Sequence, residues 1–194
     1  TYTADTITLD VRGGDFYIND SKSLWKGQNL HELYKHAYTP WEWHKPIMKR
    51  ASELGMISFS SPFDESAVDF LEELNVPAYK IASFDVVNKE LLRRLSATGK
   101  PIVMSVGMAN IKEIKAAYDV IGGYGNLSLL HCVSAYPCNP ENINLERINE
   151  LKTVFKEVGY SGHLPEIYDA IASMDYEVSY IEKHFTIDKS LPGR

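Results

Sequence analysis

The sequence predicts an α/β fold, a (β/α)8 TIM barrel, and three observations carry this prediction. Short apolar runs that read as strands alternate with amphipathic segments that read as helices, with a repeat every twenty to thirty residues. The connections between them are short, as in parallel α/β proteins. A polar residue also ends or follows each run, and in a barrel those strand ends converge on one catalytic mouth.

Six runs have the apolar pattern and length expected of strands. They cover residues 56–60, 78–82, 101–105, 127–131, 158–161 and 180–184. The intervening helices are predicted near 64–75, 87–98, 110–122, 143–156 and 164–174. Asn88 and Asn110 are placed to cap two of these helices, Glu113 completes a capping box with Asn110, and Gly99 is predicted as a helix C-cap.

The first 38 residues are less regular than the rest of the chain. Thr6–Leu9 alternates like a strand, and residues 30–36 can form a short helix. From Thr39 onward the pattern becomes regular, because Thr39 is placed as an N-cap with Pro40 at the first helical position. That helix is predicted to end at Gly55.

A doubly wound sheet is the competing architecture. Such a sheet usually carries a glycine-rich nucleotide-binding motif after its first strand, and this sequence has none. Six strand–helix units in place of eight indicate that the first two strands precede Thr1. We therefore expect residues 1–194 to form one partial barrel domain, incomplete at its N-terminus and containing strands 3 to 8. Residues 1–38 are expected to be a loop or hairpin excursion after strand 2.

The composition excludes several classes of function. The 194 residues are 44% hydrophobic and carry a net charge of −6 without a run of Lys or Arg, which argues against a nucleic-acid partner or an anionic membrane surface. No apolar stretch approaches the length of a transmembrane helix. Two cysteines do not make a disulfide framework or a zinc pattern. We expect a cytoplasmic protein.

Two histidines form the most informative pair in the chain. His163 ends one strand-like run and His184 ends the next, twenty-one positions later. One strand–helix–strand unit places the equivalent ends of neighbouring parallel strands side by side, so the two imidazoles can share a divalent metal. For either histidine alone, a hydrogen-bonded structural role is the simpler interpretation.

Other strand ends offer groups that bind anions. Hydroxyls are followed by small residues and by helix N-termini, which can hold a phosphate or a carboxylate; the residues are Ser61, Ser83, Ser105 with Gly107, and Ser161. Lys80 lies within an apolar strand, where a lysine needs a counter-charge or an anionic ligand. Each serine can instead cap a helix, and Lys80 can instead extend outward to water.

At these residues the sequence resembles the sialic acid synthase family. The motifs, in order, are Ser60-Ser-Pro-Phe-Asp64, Lys80-Ile-Ala-Ser-Phe84, Gly99-Lys-Pro-Ile-Val-Met-Ser105, His131-Cys-Val-Ser-Ala-Tyr-Pro137, Gly159-Tyr-Ser-Gly-His163 and Ile181-Glu-Lys-His-Phe-Thr186. The resemblance covers nearly the whole chain. Features of the first 44 residues look most like the pseudaminic acid synthase branch, whereas Ser161-Gly-His163 looks more like the general relatives.

The resemblance implies a transferase of the class I aldolase-like superfamily that forms a C–C bond. It would condense phosphoenolpyruvate with an N-acetylated amino-sugar aldehyde, of the N-acetylmannosamine or 6-deoxy-diacetamido-altrose type. The products would be a nine-carbon sialic or pseudaminic acid and phosphate. The resemblance also implies Mn²⁺ or Mg²⁺ at His163 and His184, a homodimer, and a C-terminal antifreeze-like domain in the full-length protein.

Roles for single residues follow from the same resemblance. Lys80, Asp85 and Tyr136 match catalytic positions. Substrate-binding positions are matched by Ser61, Ser83, Ser105, Gly107, Ser134 and Ser161. The chain departs from the family where Asp85 replaces Glu and Val106 replaces Thr. The family's catalytic Glu and Lys of the first two strands would lie upstream of Thr1, so these 194 residues alone are expected to be inactive.

Three alternatives remain open on the sequence. The first is a synthase that condenses phosphoenolpyruvate with a phosphorylated aldose, which needs a second basic cluster at the strand ends; Arg93 and Arg94 lie on a predicted helix instead. The second is an aldolase that forms a Schiff base on Lys80. The third is a barrel without catalytic activity.

Overall fold

The structure is a computed structural model that describes residues 1–21, 23, 25–122, 126–136 and 138–191. The chain divides into two compact units, residues 1–79 and residues 80–194. Among the described residues, none of the helices has both the length and the apolar character that crossing a membrane requires. Pro137, the last residue of the predicted 131–137 motif, lies outside the described residues.

The first unit is helical, and it corrects one predicted element. Its helices are α1 (Ala4–Ile7), α2 (Leu30–Ala37), α3 (His44–Glu53) and α4 (Glu65–Glu73). The prediction of a strand over Thr6–Leu9 is wrong, because Thr6 and Ile7 belong to α1 and neither Thr8 nor Leu9 is in a strand. The backbone N–H of Thr3 donates to Oγ1 of Thr6 over 3.0 Å, and the N–H of Ile7 donates to the carbonyl of Thr3. These local bonds stabilise a helical turn against the strand-like alternation.

Helix α2 confirms the predicted short helix, whereas α3 begins later than predicted. Asn29 caps α2, since its side chain accepts hydrogen bonds from the N–H groups of His31 and Glu32. The N-cap prediction for Thr39 is wrong: a 3-10 turn, Trp41–Trp43, precedes α3, and extended Pro40 (ψ 132°) stands before that turn. The predicted stop is confirmed by Gly55, whose φ of +72° is a conformation that favours glycine.

The predicted strand at residues 56–60 is reduced to a single bridge. Only Ser60 pairs with another segment, in a parallel bridge to Tyr79. The hydrophobic contacts of this unit come from its helices and aromatic rings instead. Trp41 stacks on Phe70 with 4.6 Å between ring centroids, and α4 buries Val68 and Leu71 completely.

A five-stranded sheet organises the second unit. Its strands are β1 (Tyr79–Ile81, which starts on the last residue of the first unit), β2 (Ile102–Ser105), β3 (Leu127–Cys132), β4 (Val158–Gly162) and β5 (Ile181–Lys183). They are ordered β1-β2-β3-β4-β5, and the pairs from β2 to β5 are parallel. Neighbours in sequence are therefore neighbours in space, as in a barrel, whereas a doubly wound sheet reverses its order at a switch point. The barrel prediction is confirmed.

Four helices connect these strands: α5 (Lys89–Ser96), α6 (Ile111–Ile121), α7 (Glu146–Lys152) and α8 (Tyr168–Ser173). The predicted caps are confirmed, because Asn88 accepts from the N–H of Leu91 and Asn110 forms a capping box with Glu113. Gly99 has φ +69° but follows the end of α5 at Ser96 by three residues, so it is a turn residue and not the cap. Helices α7 and α8 are shorter than predicted, with 3-10 turns at Pro140–Asn142 and Met174–Tyr176.

The strands expose two chemically different faces because side chains alternate along each strand. The register aligns Cys132 with Ser161, and Ser161 with Glu182. We call the face that carries Ser161 and Glu182 the site face. The opposite face carries Tyr160 and Lys183, which contact Asp169 of α8; we call it the helix face.

Candidate functional site

A lysine, two serines and a glutamate form a hydrogen-bonded network on the site face. Nζ of Lys80 donates to Oγ of Ser105 over 2.7 Å and lies 3.6 Å from Oε1 of Glu182. Oγ of Ser161 donates to the same Glu182 oxygen over 2.7 Å. Only 14% of the Lys80 side chain is exposed, so it does not extend outward to water. The structure thus brings together three predicted residues from β1, β2 and β4.

Glu182 is the member of this network that the sequence prediction missed. It lies on β5 two residues before His184, and its side chain is 45% exposed. Strand parity contained the signal, since residues two apart on a strand share a face. A carboxylate shared by Lys80 and Ser161 fixes the lysine while leaving oxygen lone pairs free for a ligand or for water.

His163 follows β4 and is held in one tautomer. Its Nδ1 lies 2.6 Å from the carbonyl oxygen of Val133, which can only accept, so Nδ1 carries the proton. Its Nε2 lies 3.3 Å from Oγ of Ser161. Burial lowers the pKa of His163, and the nearby His184 lowers it further against a raising contribution from the Val133 hydrogen bond. The neutral ring therefore keeps an Nε2 lone pair, which is the state that a metal needs.

His184 and Tyr136 stand beside this imidazole. The ring centroids of His163 and His184 are 5.5 Å apart, and Tyr136 lies 4.3 Å from the first ring and 5.6 Å from the second. Two imidazoles bound to one ion through ~2.0–2.1 Å bonds have ring centroids about 5 Å apart, so the pair fits a shared metal. Within the described part of the chain, the pair belongs to no group of three His, Cys, Asp or Glu ligand atoms.

Ser83 and Gly107 form a tight internal contact with Cys132. Oγ of Ser83 accepts from the N–H of Gly107 over 3.2 Å and lies 3.2 Å from Sγ of Cys132. A Cβ on Gly107 would lie 2.5 Å from the carbonyl oxygen of Cys132, which no real side chain permits. The buried Ser83 hydroxyl therefore supports the loop after β2, while Cys132 is a buried free thiol.

Asp85 is a buried carboxyl group at the end of β1. It lies in a 3-10 turn, Ser83–Val87, and only 7% of the residue is exposed. Burial raises the pKa of Asp85 to about 6, against a lowering contribution from the Asn88 side chain. Among the described residues its Oδ2 has no hydrogen-bond partner, so this oxygen is free to accept or donate a proton near neutral pH.

Three other polar positions are not members of this network. Ser134 is exposed in the loop after β3. Ser61 belongs to the first unit, directly after the Ser60–Tyr79 bridge. His131 ends the strand-like run 127–131 and was therefore expected at the mouth with the other strand ends. Its Nε2 lies 2.9 Å from the Ile143 carbonyl oxygen. Since that carbonyl can only accept, Nε2 donates, and His131 is a structural residue. Its ring pairs with Tyr160 on the helix face.

Comparisons with known proteins show the family of this chain. The NeuB family model matches residues 1–194. The pseudaminic acid synthase of Helicobacter pylori is 40% identical over 194 residues, which cover 98% of this chain and 56% of that protein. The human N-acetylneuraminate-9-phosphate synthase is 35% identical over 176 residues, covering 89% of this chain and 49% of its own.

A solved structure is also similar to this chain. The N-acetylneuraminic acid synthetase of Leptospira borgpetersenii, crystallised in complex with citrate, superposes with a TM-score of 0.81 and 32% identity over 84% of this chain and 58% of its own. The chain spans about half the length of the curated relatives it matches. Because the family model matches it from end to end, the chain belongs to the NeuB family.

Proposed function

We propose that this chain is the barrel part, strands 3 to 8, of a synthase that condenses phosphoenolpyruvate with an N-acetylated amino-sugar aldehyde. The product would be a nine-carbon acid of the pseudaminic or sialic type, with release of phosphate. Family membership supports the reaction class, and 40% identity to a pseudaminic acid synthase supports the branch. The observation that carries the proposal is the Lys80–Ser105–Glu182–Ser161 network beside the His163 and His184 rings.

Lys80 is the group that would bind the anionic end of phosphoenolpyruvate. Its ammonium is fixed by Ser105 and faces Glu182 at 3.6 Å, a distance longer than a hydrogen bond. A carboxylate or phosphate oxygen can therefore accept hydrogen bonds from the two remaining ammonium N–H groups while Glu182 turns toward water. Ser161, which donates to Glu182 and lies 3.3 Å from Nε2 of His163, would join this anion site to the histidine pair.

His163 and His184 would hold a divalent ion, and the resemblance to the family supports Mn²⁺ or Mg²⁺. When bound, such an ion supplies Lewis-acid polarisation of an aldehyde oxygen. The protein's part is to keep Nε2 of His163 deprotonated through the Val133 carbonyl. The ring of Tyr136 packs on both imidazoles and restricts their orientation.

Asp85 would hold or transfer a proton during the reaction. With a pKa raised to about 6 by burial, the carboxyl group is close to the pH range in which a general acid or base is most effective. We propose that it serves the water that adds to the condensed intermediate, or the departing phosphate. Ser134 and Ser61 are proposed to contact the substrates, and Gly107 is proposed to keep the backbone near the phosphate.

The test is metal-dependent phosphate release by the full-length protein. Phosphoenolpyruvate would be supplied with N-acetylmannosamine, its 6-phosphate, or diacetamido-trideoxy hexoses, with and without EDTA. We expect release only with an unphosphorylated N-acetylated sugar and added metal, and none from the 194-residue chain alone. Release that persists in EDTA, together with borohydride trapping of a keto acid on Lys80, would establish the Schiff-base aldolase instead. Preference for the phosphorylated sugar would establish the phosphorylated-aldose synthase.

We further propose that the full-length protein is a cytoplasmic homodimer with small-molecule substrates. The two cysteines, Cys132 and Cys138, are both buried free thiols, which supports a reducing compartment. The dimer rests on the resemblance to the family. Light scattering of the full-length protein at micromolar concentration would give twice the monomer mass if this is correct, and the monomer mass if it is not.

A further inference from the structure

A buried histidine in the first unit, His31, has a ring nitrogen without a hydrogen-bond partner among the described residues. His31 lies in the first turn of α2, and only 4% of its side chain is exposed. Its Nε2 lies 2.7 Å from Oδ1 of Asp5. Its Nδ1 is buried and has no hydrogen-bond partner among the described residues. Buried polar atoms are almost always paired in folded proteins, so an unpaired one calls for a missing partner such as an ion.

Asp10 faces this nitrogen, and Glu32, which also accepts a hydrogen bond from Nζ of Lys35, belongs to the same group of ligand atoms. Oδ1 of Asp10 is 3.6 Å from Nδ1 of His31, and Asp10, His31 and Glu32 each offer a ligand atom within 4.8 Å of the others. A separation of 3.6 Å is too long for a hydrogen bond. It is the separation of two ligand atoms on one ion, because ~2.0–2.2 Å bonds in a tetrahedral site put ligand atoms about 3.3–3.6 Å apart.

Asp5 gives the imidazole the tautomer that a metal requires. An ionised carboxylate only accepts, so the proton of a neutral His31 lies on Nε2, and the Nδ1 lone pair faces Asp10. A carboxylate that hydrogen-bonds the far nitrogen of a ligand histidine is the usual outer-shell arrangement at metal sites. Asp5 and Asp10 are 85% and 59% exposed, so an ion can reach the site from solvent.

We infer that Asp10, His31 and Glu32 bind a divalent transition ion of the Zn²⁺ type, with Asp5 as the outer-shell partner of His31. One nitrogen and two carboxylate oxygens favour zinc, cobalt or nickel over calcium and magnesium, which prefer oxygen alone. The ion joins the segment that contains Asp10 to the start of α2. Asn29, the cap of α2, already ties the same segment by donating from Nδ2 to the Val11 carbonyl. The site is therefore a structural clamp within residues 1–79.

The competing interpretation is an ion pair without metal. A protonated His31 between Asp5 and Asp10 would also place two carboxylates against one imidazole. The two interpretations differ in whether Asp10 and Glu32 contribute to metal affinity. Both carboxylates are exposed enough to be changed without disturbing packing. His31 itself is a poor first variant because it is buried.

Zinc titration of the 194-residue chain by calorimetry, supported by cobalt absorption spectra, tests the inference. We expect Asp10→Asn and Glu32→Gln each to weaken Zn²⁺ binding at this site more than about tenfold, and Asp5→Asn to weaken it about 10–100-fold. Asp15→Asn, a change at an exposed carboxylate of the same unit, should leave the affinity within about twofold. His163→Ala should leave this site intact, which separates it from the site of the proposed reaction.

Two results overturn the inference. One is Zn²⁺ binding of unchanged affinity and stoichiometry in both Asp10→Asn and Glu32→Gln. The other is a wild-type chain whose zinc binding is absent or is removed entirely by His163→Ala. In either case His31 is the centre of an ion pair with Asp5 and Asp10 only.

Discussion

The two faces of the sheet in the second unit each place a lysine against a carboxylate, with opposite consequences. On the helix face, Nζ of Lys183 lies 3.1 Å from Oδ1 of Asp169 and donates to the Leu164 carbonyl over 2.6 Å. The Asp169 side chain is fully buried, and Tyr160 donates to its second oxygen. Burial raises the pKa of Tyr160, so it stays a donor. On this face Lys183 and Asp169 are therefore both fully paired.

On the site face the pairing is incomplete. Lys80 and Glu182 are 3.6 Å apart, and Glu182 is 45% exposed. Such a half-exposed pair contributes little to stability, whereas a buried one that loses a partner destabilises strongly. The difference teaches that the helix face supports the loop carrying His163 and Leu164, while the site face keeps charge available for a ligand.

The largest expected effect comes from breaking the buried pair. Lys183→Met leaves the Asp169 carboxylate buried without its cation, so the free energy of unfolding should fall by about 3–5 kcal/mol. Denaturant unfolding followed by circular dichroism measures this change. Lys189→Met, at an exposed lysine, should change it by less than about 0.5 kcal/mol. A loss below about 1 kcal/mol in Lys183→Met would show that the helix face does not depend on this pair.

The second effect concerns catalysis. In the full-length protein, His163→Ala should lower turnover more than about 100-fold, because outer-shell changes at metal sites alone cost 10–100-fold. His36→Ala, at an exposed histidine, is the control and should retain activity. Phosphate release at saturating metal checks this, and near-normal turnover in His163→Ala would remove the histidine pair from the proposed site.

The third effect is a pH dependence that Asp85 should give to stability. Its folded pKa of about 6 lies above the ordinary value of 3.8 for an aspartate, so the folded state binds the proton more tightly and stability falls as pH rises from about 4 to 6. Between pH 4.5 and 7 this contribution changes by about 2 kcal/mol. Asp85→Asn removes this proton-linked contribution. The difference in unfolding free energy between the variant and the wild type should therefore change by about 2 kcal/mol between pH 4.5 and 7.

Asp119→Asn provides the matched control, since Asp119 is an exposed carboxylate on α6. Urea unfolding at pH 4.5 and 7 measures both variants. A difference between Asp85→Asn and wild type that is the same at both pH values contradicts the assignment of a raised pKa to Asp85.

The smallest effect sharpens the role of the residue that the sequence prediction missed. Glu182→Gln keeps a hydrogen-bond acceptor for Ser161 but removes the charge facing Lys80. We expect the KM for phosphoenolpyruvate to change about tenfold in the full-length protein with stability within about 0.5 kcal/mol, since the pair is half exposed. Glu166→Gln, at an exposed carboxylate after β4, is the control and should change neither the KM nor the stability. A stability loss in Glu182→Gln as large as that of Lys183→Met would show that the ion pairs on the two faces contribute equally to stability.

Local sequence signals predicted much of the fold. The five strands of the sheet were predicted within a few residues, and the Asn88 and Asn110 caps were predicted at the correct positions. The strand prediction for Thr6–Leu9 was wrong because local hydrogen bonding between Thr3 and Thr6 outweighed an apolar–polar alternation of only four residues. The run at 56–60 failed as a strand because a strand is defined by the partner it pairs with, and only Ser60 has one.

The sequence by itself determined the alternation of strands and helices, the helix caps and the residues that end each strand, because these depend on periodicity and on bonds within one helical turn. Strand parity also decided which of those residues could share a face. Only the tertiary structure decided that Glu182 joins Lys80 to Ser161, that Val133 fixes the tautomer of His163, and that His131 faces the helices. These contacts join residues 12 to 102 positions apart, and their geometry depends on strand register and helix packing, which no local pattern encodes.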